Sequence, residues 1–183
     1  TFQNLTKILF GRNRIEDIDN EIPKDAKVLV LYGGGSVKKN GAFDRAVKAL
    51  GNREWDEFSG IEANPTFETL MKAVEKVRAG NFTYLLAIGG GSVIDGTKFV
   101  SAASLFTEDP VDLFGWGVGK GLPVQEVVPF GTILTLPATG SEMNAGAVIT
   151  LVEKKAKVSF RGPKTFPVFS VLEPELTYTL PVR

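Results

Sequence analysis

Four apolar runs of strand length punctuate the chain, at residues 27–32, 84–88, 131–136 and 168–172, and each stops at a glycine or shortly before a proline. Runs that are apolar on both faces are the pattern of parallel strands covered by helices on each side. Between them lie segments with three- and four-residue spacing. Residues 42–50 place Ala42, Ala46, Ala49 and Leu50 on one face. Residues 66–79, entered through Asn64-Pro65, do the same with Phe67, Leu70, Met71, Val74 and Val77. A third segment begins at Ser92, which offers itself as the N-cap, and runs to about Leu105 with Val93, Thr97, Val100 and Ala103 inward. Strand and helix in alternation predict an α/β fold: a Rossmann-like parallel sheet with flanking helices and right-handed crossovers, plus small antiparallel strand pairs at its flanks.

At those flanks the pattern changes. Residues 6–11 read as an early strand of a hairpin outside the main sheet. Val148-Ile149-Thr150 and Lys157-Val158-Ser159-Phe160 read as an antiparallel pair around the charged turn Glu153-Lys154-Lys155. Phe114 and Trp116, with Gly115, Gly117, Gly119 and Gly121 around them, read as a turn-rich connector, a mobile loop over the site being the alternative. With 183 residues the chain is taken as a single domain, 1–183.

Two turns of identical wording, Gly33-Gly34-Gly35-Ser36 and Gly89-Gly90-Gly91-Ser92, close the first two apolar runs. Consecutive glycines remove every Cβ from one patch, so a phosphate can reach bare N–H groups, and a following helix N-terminus adds its dipole. Two such turns point to a ligand with more than one phosphate. The second continues through Asp95 and Lys98, about one helical turn along and facing the same mouth, and reads as a pyrophosphate cradle. The first carries Ser36, Lys38 and Lys39 and no carboxylate. An acid in that region binds a ribose hydroxyl, whereas a base accommodates a 2′-phosphate, so the wording favours NADP(H) over NAD(H). A third segment, from Thr135 through Thr139 to Asn144, follows another strand end and brings hydroxyls and an amide to the same crevice. Each segment taken singly also has a plain structural reading as a tight turn, a helix cap or a surface ion pair.

Composition narrows the chemistry. Lys plus Arg (21) balances Asp plus Glu (21), which leaves no basic excess for a nucleic acid or a membrane surface. Cysteine is absent, which removes disulfides and thiolate metal sites and fits a reducing compartment; the cytoplasm is the expected location. Histidine is absent too, which excludes Ser-His and Cys-His nucleophiles and the usual transition-metal sites.

Together these segments resemble the iron-containing alcohol dehydrogenase family, in its butanol-dehydrogenase-like, NADPH-dependent aldehyde reductase branch. The resemblance runs through Lys7-Ile8-Leu9-Phe10-Gly11, both glycine turns with their continuations, Asn64-Pro65, Leu136-Pro137-Ala138-Thr139-Gly140-Ser141-Glu142, Asn144-Ala145-Gly146-Ala147-Val148-Ile149 and Tyr178-Thr179-Leu180-Pro181. It implies a nucleotide-binding domain followed by a helical domain that supplies a metal site from one Asp and three His. It implies that Gly90, Gly91 and Ser92 hold the cofactor pyrophosphate and that Asp95 lies near the nicotinamide. By the same resemblance, Thr135, Thr139, Asn144, Gly146, Val148 and Lys157 line its phosphate, ribose and nicotinamide, while Gly34, Gly35, Ser36 and Lys38 match the adenosine and 2′-phosphate region.

The chain ends at Arg183, before the family's metal ligands, and its closing Leu180-Pro181-Val182-Arg183 reads as a unit about to start a helix. The expectation is the nucleotide-binding half of an oxidoreductase that moves hydride between NADP(H) and a primary alcohol or aldehyde. It contains no catalytic or metal-ligating residue of its own and is inactive alone. Its partners are the small-molecule substrate and the missing helical half; iron or another divalent metal enters only in the complete enzyme. An exposed apolar face towards that half and a homo-oligomer through the N-terminal strands are further expectations. The alternatives are a stand-alone dinucleotide-binding or regulatory module, and a polyol dehydrogenase or dehydroquinate synthase-like relative.

Overall fold

The computed structural model describes residues 1, 3–115 and 117–178. Trp116 of the connector and the closing residues 180–183 lie outside them. In chain order the elements are β1 (Lys7–Phe10), α1 (Ile18–Glu21), β2 (Val28–Tyr32), α2 (Ser36–Lys39), α3 (Ala42–Leu50) and β3 (Trp55–Phe58). There follow α4 (Phe67–Gly80), β4 (Tyr84–Gly90), α5 (Gly91–Ala103), β5 (Phe130–Leu136), β6 (Gly146–Leu151), β7 (Ala156–Arg161) and β8 (Phe169–Leu172).

Six strands form one sheet in the order β1-β8-β5-β4-β2-β3, with every neighbouring pair parallel. Alternate residues of its central strands serve two cores, as the pleat requires. Leu29, Leu31, Leu85 and Ala87 face α4 and α5, whereas Val28, Val30, Tyr84 and Leu86 face α1 and α3. A strand that must bury both faces carries no polar alternation, which is why residues 28–32 are apolar throughout.

Strand order fixes the position of the crevice. From β2 the chain winds outward to β3, then returns across to β4 and proceeds through β5. The topological switch therefore falls between β2 and β4, and in open α/β sheets ligands bind outside the carboxyl ends of the strands at such a point. Tyr32 pairs with Ile88, so both strands end level and both glycine turns leave the same edge.

Several expectations need correction. The segment at residues 6–11 is not part of an outlying hairpin. As β1 it joins the main sheet, parallel to β8, with Lys7 opposite Phe169 and Phe10 opposite Leu172. Its alternation is compatible with either partner, and only long-range packing chooses between them. At the other edge β3 was missed, because Trp55-Asp56-Glu57-Phe58 is half polar and two of its residues are exposed. Ser92 does not cap α5: Gly90 is the N-cap residue, no side chain caps the helix, and Ser92 lies in its first turn.

The antiparallel pair is present as β6 and β7, with Gly146 opposite Arg161 and Leu151 opposite Ala156. This ribbon packs over α5, so α5 is buried from Gly96 to Ala103 and not along one stripe only. The same ribbon is tied to the loop before α4, where the Thr150 amide donates to the Pro65 carbonyl at 2.9 Å. Among the described residues no helix is long and apolar enough to cross a membrane.

Candidate functional site

Two cavities of about 520 Å³ each open at the carboxyl edge of the sheet, and the wall between them is the β4–α5 turn. That volume lies in the range of pockets that hold small molecules and cofactors. The changeover falls between neighbouring residues: Gly89 and Gly90 line one cavity, Gly91 and Ser92 the other.

The first cavity lies between α5 and the β6–β7 ribbon. Gly91 and Ser92 open a helix of 13 residues, so unpaired N–H groups and the positive dipole end belong to this wall. A Cβ on Gly91 would stand 2.5 Å from Thr139 Oγ1, so a side chain there would have to displace that hydroxyl. Thr139 and Ser141 share a hydroxyl hydrogen bond of 2.7 Å. One turn into α5, Asp95 accepts from the Val148 amide through Oδ2 at 3.0 Å. Its Oδ1 is buried and has no hydrogen-bond partner among the described residues. Across the cavity Lys157 donates to Asn64 Oδ1 at 2.7 Å, and the Asn64 amide meets Ser92 Oγ at 3.3 Å.

Lys98 faces inward and not towards the mouth. Fully buried, it donates to Asn144 Oδ1 at 2.8 Å and to the Gly146 carbonyl at 2.7 Å, and lies 3.8 Å from Asp95 Oδ1. Burial pushes this ammonium down to about 8, although Asp95 and Glu142 pull the other way. Asn144 in turn donates to Gly140 O and accepts from the Gly146 amide. A buried cation thus fixes the start of β6 against α5, and with it the floor of the cavity.

The second cavity lies at the switch point. Ile88, Val93, Leu136 and Leu176 give it an apolar floor, and Ser36, Lys39, Asn40 and Thr135 supply its polar groups. Of the residues expected from sequence, the first cavity gathers Gly91, Ser92, Asp95, Thr139, Asn144, Gly146, Val148 and Lys157. The second takes Ser36, Gly90 and Thr135. Gly34, Gly35 and Lys38 line neither. Lys38 is held by Glu57, with its ammonium 3.0 Å from Oε1 and 2.8 Å from Oε2.

Sequence reasoning missed Ser159 and Arg161, which reach the first cavity from β7, and Leu176, which reaches the second from the turn at Pro174–Thr177. Nothing local in their sequence marks them. Asn64 was visible as a helix-entry signal, but its role at the cavity depends on a positive φ of 57° and on packing against β7.

Among the described residues no group of three or more His, Cys, Asp or Glu side chains is placed to hold a metal ion, and the sequence has no His or Cys. The donor set for a transition metal is therefore not in this chain's described residues.

A doubly wound parallel sheet with glycine turns on both sides of its switch point defines the α/β class of the fold and places its crevice at that point. The chain belongs to the iron-containing alcohol dehydrogenase family, whose model matches residues 6–174. It is 51% identical over 180 residues to the NADPH-dependent aldehyde reductase YqhD of Escherichia coli, covering 97% of this chain and 46% of that protein. It is 42% identical to the probable NADH-dependent butanol dehydrogenase 1 of Bacillus subtilis, covering 99% of this chain and 46% of that protein. The crystal structure of E. coli YqhD superposes with a TM-score of 0.92 at 49% identity, over 99% of this chain and 46% of that one. NADH-dependent butanol dehydrogenase A from Thermotoga maritima also gives 0.92, at 39% identity and the same coverage. The chain spans about half the length of the curated relatives it matches.

Proposed function

We propose that this chain binds NADP(H) across the β4–α5 turn and serves as the nucleotide-binding part of an oxidoreductase acting on small alcohols and aldehydes. The observation that carries this reading is the pair of adjoining cavities whose common wall is a glycine turn at the switch point. A dinucleotide has the same layout, two nucleosides joined at a pyrophosphate.

The residues present fit such a ligand. Gly90, Gly91 and Ser92 receive the pyrophosphate, with the dipole of α5 favouring its charge. The apolar floor of the second cavity takes the adenine, beside Gly33, Ser36 and Thr135, with Gly34 and Gly35 in the turn outside it. The first cavity takes the nicotinamide nucleoside among Thr139, Asn144, Gly146, Val148 and Lys157. Asp95 lines the same cavity one turn into α5, its carboxylate held by the Val148 amide and the Lys98 ammonium, and so places a fixed negative charge beside the nicotinamide nucleoside. Half-exposed Val148 and Leu136 offer apolar surface to the flat rings.

When bound, the nicotinamide carries the hydride. The chain's own contribution is to bind and orient that ring and to hold the cavity floor rigid through Lys98 and Asn144. The family's iron does not fit the donors present in this chain, so no step is assigned to it here. On this reading the 183 residues alone bind the cofactor with negligible turnover.

Titration of the protein with NADPH, followed by nicotinamide fluorescence, is expected to saturate at one equivalent, with ADP-ribose competing. Absence of saturable binding would overturn the reading. Robust oxidation of a primary alcohol by these 183 residues alone would overturn the assignment of a binding role without turnover.

A further inference from the structure

Two lysines follow the first glycine turn, and the structure uses them differently. Lys38 is compensated on every side. Both oxygens of Glu57 hold its ammonium, which also lies 4.5 Å from the Phe43 ring centroid and 5.2 Å from that of Tyr32. The Tyr32 hydroxyl donates to the same carboxylate, at 3.0 Å from Oε2. Hydrogen bonding to Lys38 holds the Glu57 carboxyl below its ordinary range, and the same bond raises Lys38. Lys39 lines the second cavity beside Ser36 and Asn40 and makes no ion pair among the described residues.

The position of Glu57 gives this difference its meaning. It lies on β3, the parallel neighbour of β2, at the sheet edge from which the first glycine turn leaves. An acid about twenty residues after such a turn, on the next strand, is placed to accept from a ribose hydroxyl and to repel a phosphate ester there. Here Lys38 and Tyr32 occupy both of its oxygens.

We propose that cofactor choice is set by a divided pair: Lys39 attracts a phosphate ester on the adenosine ribose, while Lys38 is a positioning residue that masks Glu57. The inference rests on the dinucleotide reading of the site and adds to it the groups that distinguish the phosphorylated from the unphosphorylated cofactor. Lys39 replaces Lys38 as the selecting cation. Glu57, invisible as a site residue in the sequence, becomes the acid whose masking permits the phosphate.

The test is the dissociation constants of NADPH and NADH, measured by fluorescence titration on the protein and on Lys39→Ala, Lys38→Ala and Lys38→Ala/Glu57→Gln. Lys39→Ala is expected to weaken NADPH about tenfold and NADH less than about twofold, the loss of one charge-assisted contact. Lys38→Ala is expected to shift the ratio about fivefold towards NADH by exposing Glu57, and the added Glu57→Gln to restore it. The wild-type preference should also shrink as salt is raised, because the Lys39 contact is solvent-exposed. If neither cofactor binds the wild type, the dinucleotide reading itself fails. If both bind and Lys39→Ala leaves their ratio unchanged, Lys39 is not the selector. A Lys38→Ala shift that Glu57→Gln does not reverse would overturn the masking role.

Discussion

At the first glycine turn Gly35 has φ +91°, and a Cβ built on Gly34 or Gly35 meets nothing within 4 Å. At the second turn none of the three glycines has a positive φ, yet a Cβ on Gly89 would lie 2.7 Å from Val93 Cγ2, and one on Gly91 2.5 Å from Thr139 Oγ1. The same four letters thus meet different demands. The first turn needs a left-handed backbone in open space at Gly35 and close approach at Gly33, where a Cβ would lie 3.0 Å from the Ile61 carbonyl; the second needs close approach alone, in an ordinary backbone. The first leads into a helix of 4 residues with one ion-paired lysine and one exposed lysine, the second into a buried helix of 13 residues with a buried lysine on its inner face. Wording shared between two turns is therefore no guide to shared duty. The second turn is packed against a buried helix, and the first opens towards solvent.

The largest test of this contrast is Lys98, since the second turn rests on a buried charge and the first does not. With its pKa down to about 8 by burial, Lys98 loses its proton in the folded protein first, while the unfolded chain keeps it to about 10.4. The unfolded state then binds more protons, so stability rises with pH across that window, by up to about 3 kcal/mol from this group. Below pH 8 both states hold the proton and the folded state bears the cost. Urea midpoints of the wild type minus those of Lys98→Met should climb between pH 8 and 10; a flat difference would show that Lys98 is not a buried amine. Tyr84, raised by burial, contributes in the opposite sense above pH 10, when the unfolded phenol ionises and stability falls.

Next in size is the pair of alanine substitutions that separates space from conformation. Gly91→Ala is expected to cost about 2 kcal/mol by overpacking, and Thr139→Ala should recover much of that loss by removing the hydroxyl it strikes. Gly35→Ala is expected to cost about 1 kcal/mol through its left-handed backbone, with no side chain whose truncation relieves it. Thermal denaturation of the three single variants and the Gly91→Ala/Thr139→Ala double decides this. Rescue of Gly35→Ala by a neighbouring truncation, or failure to rescue Gly91→Ala, would collapse the distinction.

Ser92 gives the smallest effect. A helix N-cap hydroxyl is worth about 1 kcal/mol, but Ser92 lies inside α5 and its Oγ accepts one long hydrogen bond from Asn64. Ser92→Ala should therefore change the unfolding free energy by less than about 0.5 kcal/mol. A loss near the full cap value would restore the capping role that the sequence offers.

Much of the fold is legible in the chain. Residues 28–32 and 84–90 are apolar at every position up to the glycines, because a central parallel strand buries both faces. Helix α4 follows its three- and four-residue spacing, with Leu70, Val74 and Val77 buried as the pattern demands. The edge strands were harder to read. An edge strand has one neighbour and one half-solvated side, so β3 carries Asp56 and Glu57 and loses the apolar signature. Short β1 gives no indication of whether its partner is near or distant in the chain. Most of the site residues in the first cavity follow recognisable turn and loop wording. Arg161, Ser159 and Leu176 do not, since their relevance arises from the way β7 and a late turn fold back over the sheet edge.

By itself, the sequence determined the α/β class, the two glycine turns, and the absence of His and Cys that leaves transition-metal chemistry without its usual ligands. Those are properties of composition and short spacing, which need no knowledge of partners. Only the tertiary structure decided that the two turns flank one switch point and that Lys98 turns inward. The same is true of Glu57, which comes from the next strand to occupy Lys38 and leaves Lys39 facing the cavity. The physical reason is common to all three: strand order and side-chain pairing are settled by contacts between residues far apart in the chain, on which local periodicity carries no information.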